Sequence, residues 1–269
     1  MTKIVVVGAG HMGTAVVSGL LNDIKFDLQV VDPSESRRIF LKSRYGIDAL
    51  PSIKNVNDDD ILILSIPPQK FSQFAKDIKL NLGRTTPVIS MMAGIKIDTL
   101  GHLLGVSQII RAIPNTLPEI ALGMTVFCAS PNIYKENLAL TGVILGSFGK
   151  AIYVTDESLI DSATALCGGG PAFIAYFASA MQSFAIQSGF SNTESVLMIA
   201  QILRGTADLL ELTRKSPTQI CNEVMTPEGT TERGIAYFRE NNVEHIITSA
   251  LRKSSARSKE LGEFKYMQM

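Results

Sequence analysis

Lys3-Ile4-Val5-Val6-Val7-Gly8-Ala9-Gly10-His11-Met12-Gly13 decides how the first half of this chain is read. A β-branched run ends in a glycine-rich turn, and Gly10 to Leu21 then carries apolar residues at helical spacing. The turn matches G-x-G-x-x-G between a strand and a helix, at the start of a strand–helix–strand unit. That context gives the motif its meaning as a dinucleotide-binding turn. Gly8 permits the tight turn, Gly10 lets a pyrophosphate approach the backbone, and Gly13 lets helix and strand pack closely. The unpaired N–H groups of the first helical turn are offered to the anion. His11 and Met12 occupy variable positions of the motif and are expected to line the site. The competing reading is an ordinary glycine-rich turn.

The next strand-like run, Leu28 to Val31, ends at Asp32, which lies 19 residues after Gly13. A carboxylate there accepts hydrogen bonds from ribose hydroxyls and favours NADH. Ser34, Arg37 and Arg38 follow at once and offer a phosphate-binding alternative, which favours NADPH. A solvated helix face explains the two arginines equally simply. Ser34 is also a candidate N-cap for a helix ending near Gly46.

Further along, strand and helix patterns alternate. Asp60 to Ile66 is nearly continuous in apolar residues, as expected of a strand covered on both faces, and Pro67-Pro68 stops it. Helical spacing follows over Gln69 to Ile78, a strand over Val88 to Met91, a helix over Ile97 to Leu104 and a strand over Gln108 to Ala112. A strand near Met124 to Ala129, a helix near Asn132 to Phe148 and a strand near Ala151 to Val154 complete this part. Such alternation implies a mainly parallel sheet of the α/β Rossmann type. Beyond Thr155 every segment reads as helix. The expected division is therefore a dinucleotide-binding domain over 1–156 and an all-α domain over 157–269.

Composition narrows the function. The chain has 269 residues, 46% of them hydrophobic, with 25 basic and 25 acidic side chains. A balanced charge argues against a protein that coats nucleic acid or an anionic membrane. Cys128, Cys167 and Cys221 are too scattered for a disulfide framework, and no metal site is expected. No targeting segment is visible, so a cytoplasmic location is expected. Ser162 to Thr193 contains no Asp, Glu, Lys or Arg over 32 residues. Three glycines and a proline interrupt it, so it reads as a deeply buried helix of a soluble protein rather than a membrane span.

Three later clusters could carry chemistry. Arg111-Ala112-Ile113-Pro114-Asn115-Thr116 closes a strand, and ligands of parallel sheets sit beyond strand carboxyl ends. Common turn chemistry accounts for Pro-Asn-Thr as well. Cys167-Gly168-Gly169-Gly170-Pro171-Ala172-Phe173 presents bare backbone N–H groups at a helix start, or lets two helices cross closely. Val224-Met225-Thr226-Pro227-Glu228-Gly229-Thr230-Thr231-Glu232-Arg233-Gly234 reads as another helix N-terminus suited to an anion.

The order and separation of GAGHMG, RAIPNT, CGGGPAF and VMTPEGTTERG resemble the pyrroline-5-carboxylate reductases over essentially the whole chain. The resemblance implies NADPH- or NADH-dependent reduction of 1-pyrroline-5-carboxylate to proline, with an intertwined homodimer built by the helical domain. It implies that Gly8, Gly10, His11, Met12, Gly13, Asp32, Ser34, Pro67, Ala93 and Asn115 serve the cofactor, the Ser90 to Gly94 stretch lining its nicotinamide end. It assigns the substrate carboxylate to Gly168, Gly169, Gly170, Pro171, Gly229, Thr230 and Thr231, with Thr231 at the ring nitrogen as the catalytic residue.

There are departures. The family usually has proline at Leu117, serine at Gly169 and glycine at Glu228, and often lysine at Pro67 and asparagine at His11. Gly169 loses one possible hydroxyl ligand, and Glu228 adds a carboxylate beside an implied anion site. A 3-hydroxyacid dehydrogenase of similar layout needs a lysine on a long C-terminal helix, and none occurs between Lys150 and Lys215. A non-catalytic dinucleotide-binding regulator is the other rival.

Overall fold

The computed structural model describes residues 2–21, 26–115 and 122–263. The chain forms two compact units, Met1–Pro171 with Leu251–Met269, and Ala172–Ala250.

The first unit is built on seven strands: β1 (Thr2–Val7), β2 (Phe26–Val31), β3 (Ile61–Leu64), β4 (Val88–Ser90), β5 (Ile109–Pro114), β6 (Gly123–Ala129) and β7 (Gly149–Tyr153). Their order in the sheet is β2-β1-β3-β4-β5-β6-β7. Every neighbouring pair is parallel except β5 with β6. The mainly parallel sheet expected from the sequence is therefore present. Helices α1 (His11–Leu21), α2 (Glu35–Tyr45), α3 (Pro68–Lys79), α4 (Ile97–Leu104) and α5 (Lys135–Gly146) follow their strands.

The two-sided burial of the central strands is visible residue by residue. Val5, Val7, Leu62 and Leu64 enter one core with Phe71 and Ile78 of α3 and Leu100 of α4. Their sequence neighbours Ile4, Val6, Ile61 and Ile63 enter the other core, with Val16 and Val17 of α1, Leu41 of α2 and Ile144 of α5. Alternation along a strand sends successive side chains to opposite faces, so a strand covered twice must be apolar throughout. That is why Ile61–Leu64 shows no polar position.

Helix α2 runs between the two residues expected to bound it. Gly46 adopts a left-handed φ of 72° and its N–H closes on the carbonyls of Leu41 and Lys42. Ser34 sits at the N-cap, but its side chain makes no cap hydrogen bond. Its hydroxyl lies 3.0 Å from Ser36 Oγ instead.

Helices continue as α6 (Leu159–Ala163), a π turn over Thr164–Gly168, α7 (Gly170–Gln187), α8 (Asn192–Thr213), α9 (Pro217–Val224), α10 (Thr230–Glu240) and α11 (Val243–Glu263). No strand follows Tyr153 among the described residues. Strand gives way to helix near residue 156, but the compact units part further along. Ile160 and Ala163 of α6 lie in the sheet core, and Asp161 Oδ1 lies 2.7 Å from Arg111 Nη2 of β5. Packing and a buried ion pair thus hold α6 and the π turn to the sheet.

One expectation is corrected here. Helix α7 is not buried within the chain: Tyr176 is 81% exposed and Phe184 71%, and its buried residue is Ala185. Phe177 meets Phe238 of α10 edge-on at 6.5 Å, but most of the circumference has no cover. Leu159–Gln187 is also long and apolar enough to cross a membrane, by length and composition. Apolarity on all sides predicts burial without saying which chain supplies the cover.

Candidate active site

The first site builds from the β1–α1 turn. Gly8 has φ 100°, and a Cβ there would lie 2.8 Å from the Ser65 carbonyl oxygen. Its N–H donates to the Val31 carbonyl at 2.8 Å, prolonging the β1–β2 ladder into the turn. Ser65, just past β3, donates its hydroxyl to the carbonyl of Gly8 at 2.7 Å. A Cβ at Gly13 would stand 1.8 Å from the Gly8 carbonyl oxygen and 2.6 Å from Ser65 Oγ. The first turn of α1 therefore presses directly on the backbone before it. A Cβ at Gly10 would meet no protein atom within 4 Å, and Gly10 faces a cleft of about 500 Å³. The space a side chain would take is left open to a ligand.

Asp32 is buried and both its carboxylate oxygens are engaged. Oδ2 accepts from the Ala9 N–H at 2.7 Å, and Oδ1 accepts from the Ser34 N–H at 2.8 Å. The side chain ties the glycine turn to the end of β2. Arg38 is spent on backbone, donating to the carbonyls of Asp32 at 2.9 Å and Pro33 at 2.8 Å. Arg37 instead lines the cleft and is exposed.

Of the residues expected to serve a cofactor, Gly8, Gly10, His11, Met12, Asp32, Ser34, Pro67 and Ala93 all line this one cleft. Gly13 sits behind it as a packing residue. Asn115 is not in the lining: it is buried, and its Oδ1 accepts from the Met124 N–H at 3.2 Å, joining the ends of β5 and β6. Thr116 and Leu117 lie outside the described residues. The cleft also takes in Ser65, Ile66, Lys70, Phe74, Met91 and Met92. No motif marks them individually, apart from the stretch containing the two methionines; the signal in the sequence is their place after the carboxyl ends of β3 and β4, where ligands of such sheets sit. The open glycine, the helix N-terminus and the cations Arg37 and Lys70 fit a dinucleotide and its phosphates.

In the same unit the π turn brings Gly168 to the carboxyl end of β5. A Cβ on Gly168 would lie 3.3 Å from Ile113 Cγ2 and 4.0 Å from the Pro114 carbonyl oxygen. The Gly169 N–H donates to the Thr164 carbonyl at 3.0 Å, five residues back, the wide turn that recurs at functional sites. Cys167 packs against the sheet core, and burial pushes its thiol up. That keeps it protonated and unsuited to act as a nucleophile.

In the second unit the helix starts differ. Ser191 with Glu194 caps α8, and Ser216 with Gln219 caps α9, each as a complete capping box. Helix α10 starts at Gly229 with no side-chain cap. Thr230 and Thr231 in its first turn are exposed, so hydroxyls and backbone N–H groups face outward together. Glu228 precedes them at φ 60°, and its N–H donates to Glu232 Oε2 at 2.7 Å. No capping pattern in the sequence marks this carboxylate interaction. The spacing that reveals it runs from Glu232 back to Glu228, not to a Ser or Thr cap.

Comparison with known proteins covers both parts of the chain. Residues 157–261 match the family model for pyrroline-5-carboxylate reductase dimerisation. Residues 3–94 match the model described as NADP oxidoreductase coenzyme F420-dependent. The pyrroline-5-carboxylate reductase of Methanosarcina acetivorans is 30% identical over 266 residues, covering 97% of this chain and 98% of that protein. That of Vibrio alginolyticus is 29% identical, covering 96% and 97%. The solved structure of a pyrroline-5-carboxylate reductase from Coxiella burnetii superposes with a TM-score of 0.86 at 28% identity, covering 97% of this chain and 99% of that one. With end-to-end coverage at that identity, and with the glycine turn and cleft in place, the chain belongs to the pyrroline-5-carboxylate reductase family.

Proposed function

We propose that this protein reduces 1-pyrroline-5-carboxylate to proline with NADPH or NADH, in the cytoplasm and as a homodimer. The observation that carries the reading is the end-to-end similarity to the Methanosarcina acetivorans reductase. The glycine-turn cleft supports the cofactor half. The uncapped start of α10 supports an anion in the substrate half.

When bound, the reduced nicotinamide supplies hydride to the carbon of the protonated C=N bond. The chain's own work is positioning and charge placement. The β1–α1 turn holds the pyrophosphate, and Met91 to Ala93 wall the cleft. We assign the substrate carboxylate to the Gly168, Gly169 and Gly170 turn, with Pro171 fixing the helix start, and to Gly229 and Thr230, as the family resemblance implies. The Thr231 hydroxyl oxygen accepts the ring N–H and keeps the proton on nitrogen. Glu228 and Glu232 place negative charge beside this anion site, and hydrogen bonding of the Glu228 N–H draws Glu232 into the same turn. No lysine between Lys150 and Lys215 offers the general acid or base of a hydroxyacid dehydrogenase.

Both cofactors fit. Each Asp32 oxygen accepts one backbone N–H, from Ala9 and Ser34, and keeps acceptor capacity for a ribose hydroxyl. Arg37, in the cleft lining with Ser34, suits the 2′-phosphate of NADPH.

Purified protein should turn over 1-pyrroline-5-carboxylate with NADPH and leave 3-hydroxyacids untouched; the reverse preference overturns the reading. Thr231→Val should lower kcat/KM by about one to two powers of ten, as expected for a hydrogen bond to a charged group. Wild-type turnover in that variant removes Thr231 from the mechanism. Arg37→Gln should lower kcat/KM for NADPH by roughly tenfold or more while changing NADH little. An unchanged ratio of the two rules Arg37 out as the phosphate contact. The exposed apolar circumference of α7 supports a second copy as its cover. Sedimentation over a dilution series should give twice the 29.1 kDa chain mass, with activity lost as the dimer dissociates; a fully active monomer contradicts the dimer.

A further inference from the structure

The loop after β4 carries Met91, Met92 and Ala93 into the cofactor cleft, and the chain that follows them is held from behind at two points. The first is Gly94, with φ 80°. A Cβ there would lie 2.6 Å from the Ser258 carbonyl oxygen and 2.7 Å from the Gly262 nitrogen, both in α11. The fit is reciprocal: a Cβ on Gly262 would lie 1.9 Å from the Gly94 carbonyl oxygen. Backbone rests on backbone, and neither position has room for a methyl group.

At the second point, three residues on, the Ile97 N–H opening α4 donates to Glu157 Oε1 at 2.9 Å. Glu157 is held by Arg111 at 3.2 Å, and Arg111 by Asp161 at 2.7 Å. Asp161 Oδ1 also accepts the Ser258 hydroxyl at 2.8 Å. Ser258 is 3% exposed and Arg111 1%, so the Arg111–Asp161–Ser258 bonds are buried, where a charged group left without partners is costly, while Glu157 is half-buried. The same turn of α11 therefore reaches the loop twice, once through Gly94 and once through Asp161, Arg111 and Glu157.

From these contacts we propose that Ser258 and Gly262 are positioning residues for the cofactor, acting through the Met91–Gly94 wall of the cleft. This rests on the reading of that cleft as the dinucleotide site, but not on the identity of the substrate. Helix α11 lies mostly within the stretch matched by the dimerisation model, residues 157–261. Ser258 lies inside that stretch and Gly262 just past it, so the end of the last helix sets how well the N-terminal part holds its cofactor.

The test is direct titration of the purified protein with NADPH, without substrate, on wild type, Gly262→Ala and Ser258→Ala. Melting temperature and sedimentation are followed alongside. The added methyl of Gly262→Ala must displace either α11 or the loop, and the dissociation constant should rise roughly tenfold or more. KM for 1-pyrroline-5-carboxylate should stay near wild type, a split that general loss of structure would not produce. Ser258→Ala removes only the hydroxyl and should give a smaller rise of the same kind; it decides the matter if Gly262→Ala does not fold. NADPH affinity within twofold of wild type in a folded Gly262→Ala, or in Ser258→Ala should Gly262→Ala fail to fold, overturns the proposal. If NADPH binds tightly and responds as expected but pyrroline carboxylate is not reduced, the substrate reading fails and this one stands.

Discussion

The contact between Gly13 and the carbonyl of Gly8 is the constraint from which the functional part of the structure follows. With 1.8 Å available to a Cβ, only hydrogen fits between the first turn of α1 and the turn that precedes it. That closeness aims the helix N-terminus at the cleft and leaves Gly10 bare in front of it. Ser65 locks the arrangement from β3 by bonding the carbonyls of Val7 and Gly8, and Asp32 locks it from β2 by receiving the Ala9 N–H. Three neighbouring strands thus converge on one peptide turn.

Asp32 illustrates how one residue type supports two arguments. A carboxylate at the end of the second strand reads from sequence as a ribose contact. In place, its oxygens meet the backbone at 2.7 and 2.8 Å, so it serves the shape of the turn, and it also lines the cleft, with acceptor capacity left for a ribose hydroxyl. Spacing alone shows the second role and not the first, because the N–H groups are brought up to it by the fold.

The fold itself was largely readable. Ile61–Leu64 announces a doubly covered strand because no face of it can tolerate a polar residue, and Gly46 announces the end of α2 because a left-handed residue is needed there. The glycine turn was readable because its chemistry is local. What could not be read depends on the third dimension. Asn115 follows a strand end, as a ligand residue should, and its Oδ1 accepts from the Met124 N–H across two strand ends, a pairing that no spacing announces. Lys70 and Phe74 reach the cleft from α3 without any motif to mark them. The Arg111–Asp161–Ser258 chain spans positions far apart in sequence, and no periodicity joins them. The composition of helix α7 demands cover on all sides, and its exposed Tyr176 and Phe184 show that this single chain does not supply it.

The claim on which the account turns is that the glycine-only packing of α1 creates the cofactor site. Isothermal titration of Gly13→Ala with NADPH, paired with thermal unfolding, measures it most directly. Overpacking of this kind costs about 1–3 kcal/mol, and the account places that cost at the mouth of the cleft. NADPH affinity should then fall by roughly one to two powers of ten, in a protein that still folds. Wild-type NADPH affinity in a folded Gly13→Ala variant would contradict it.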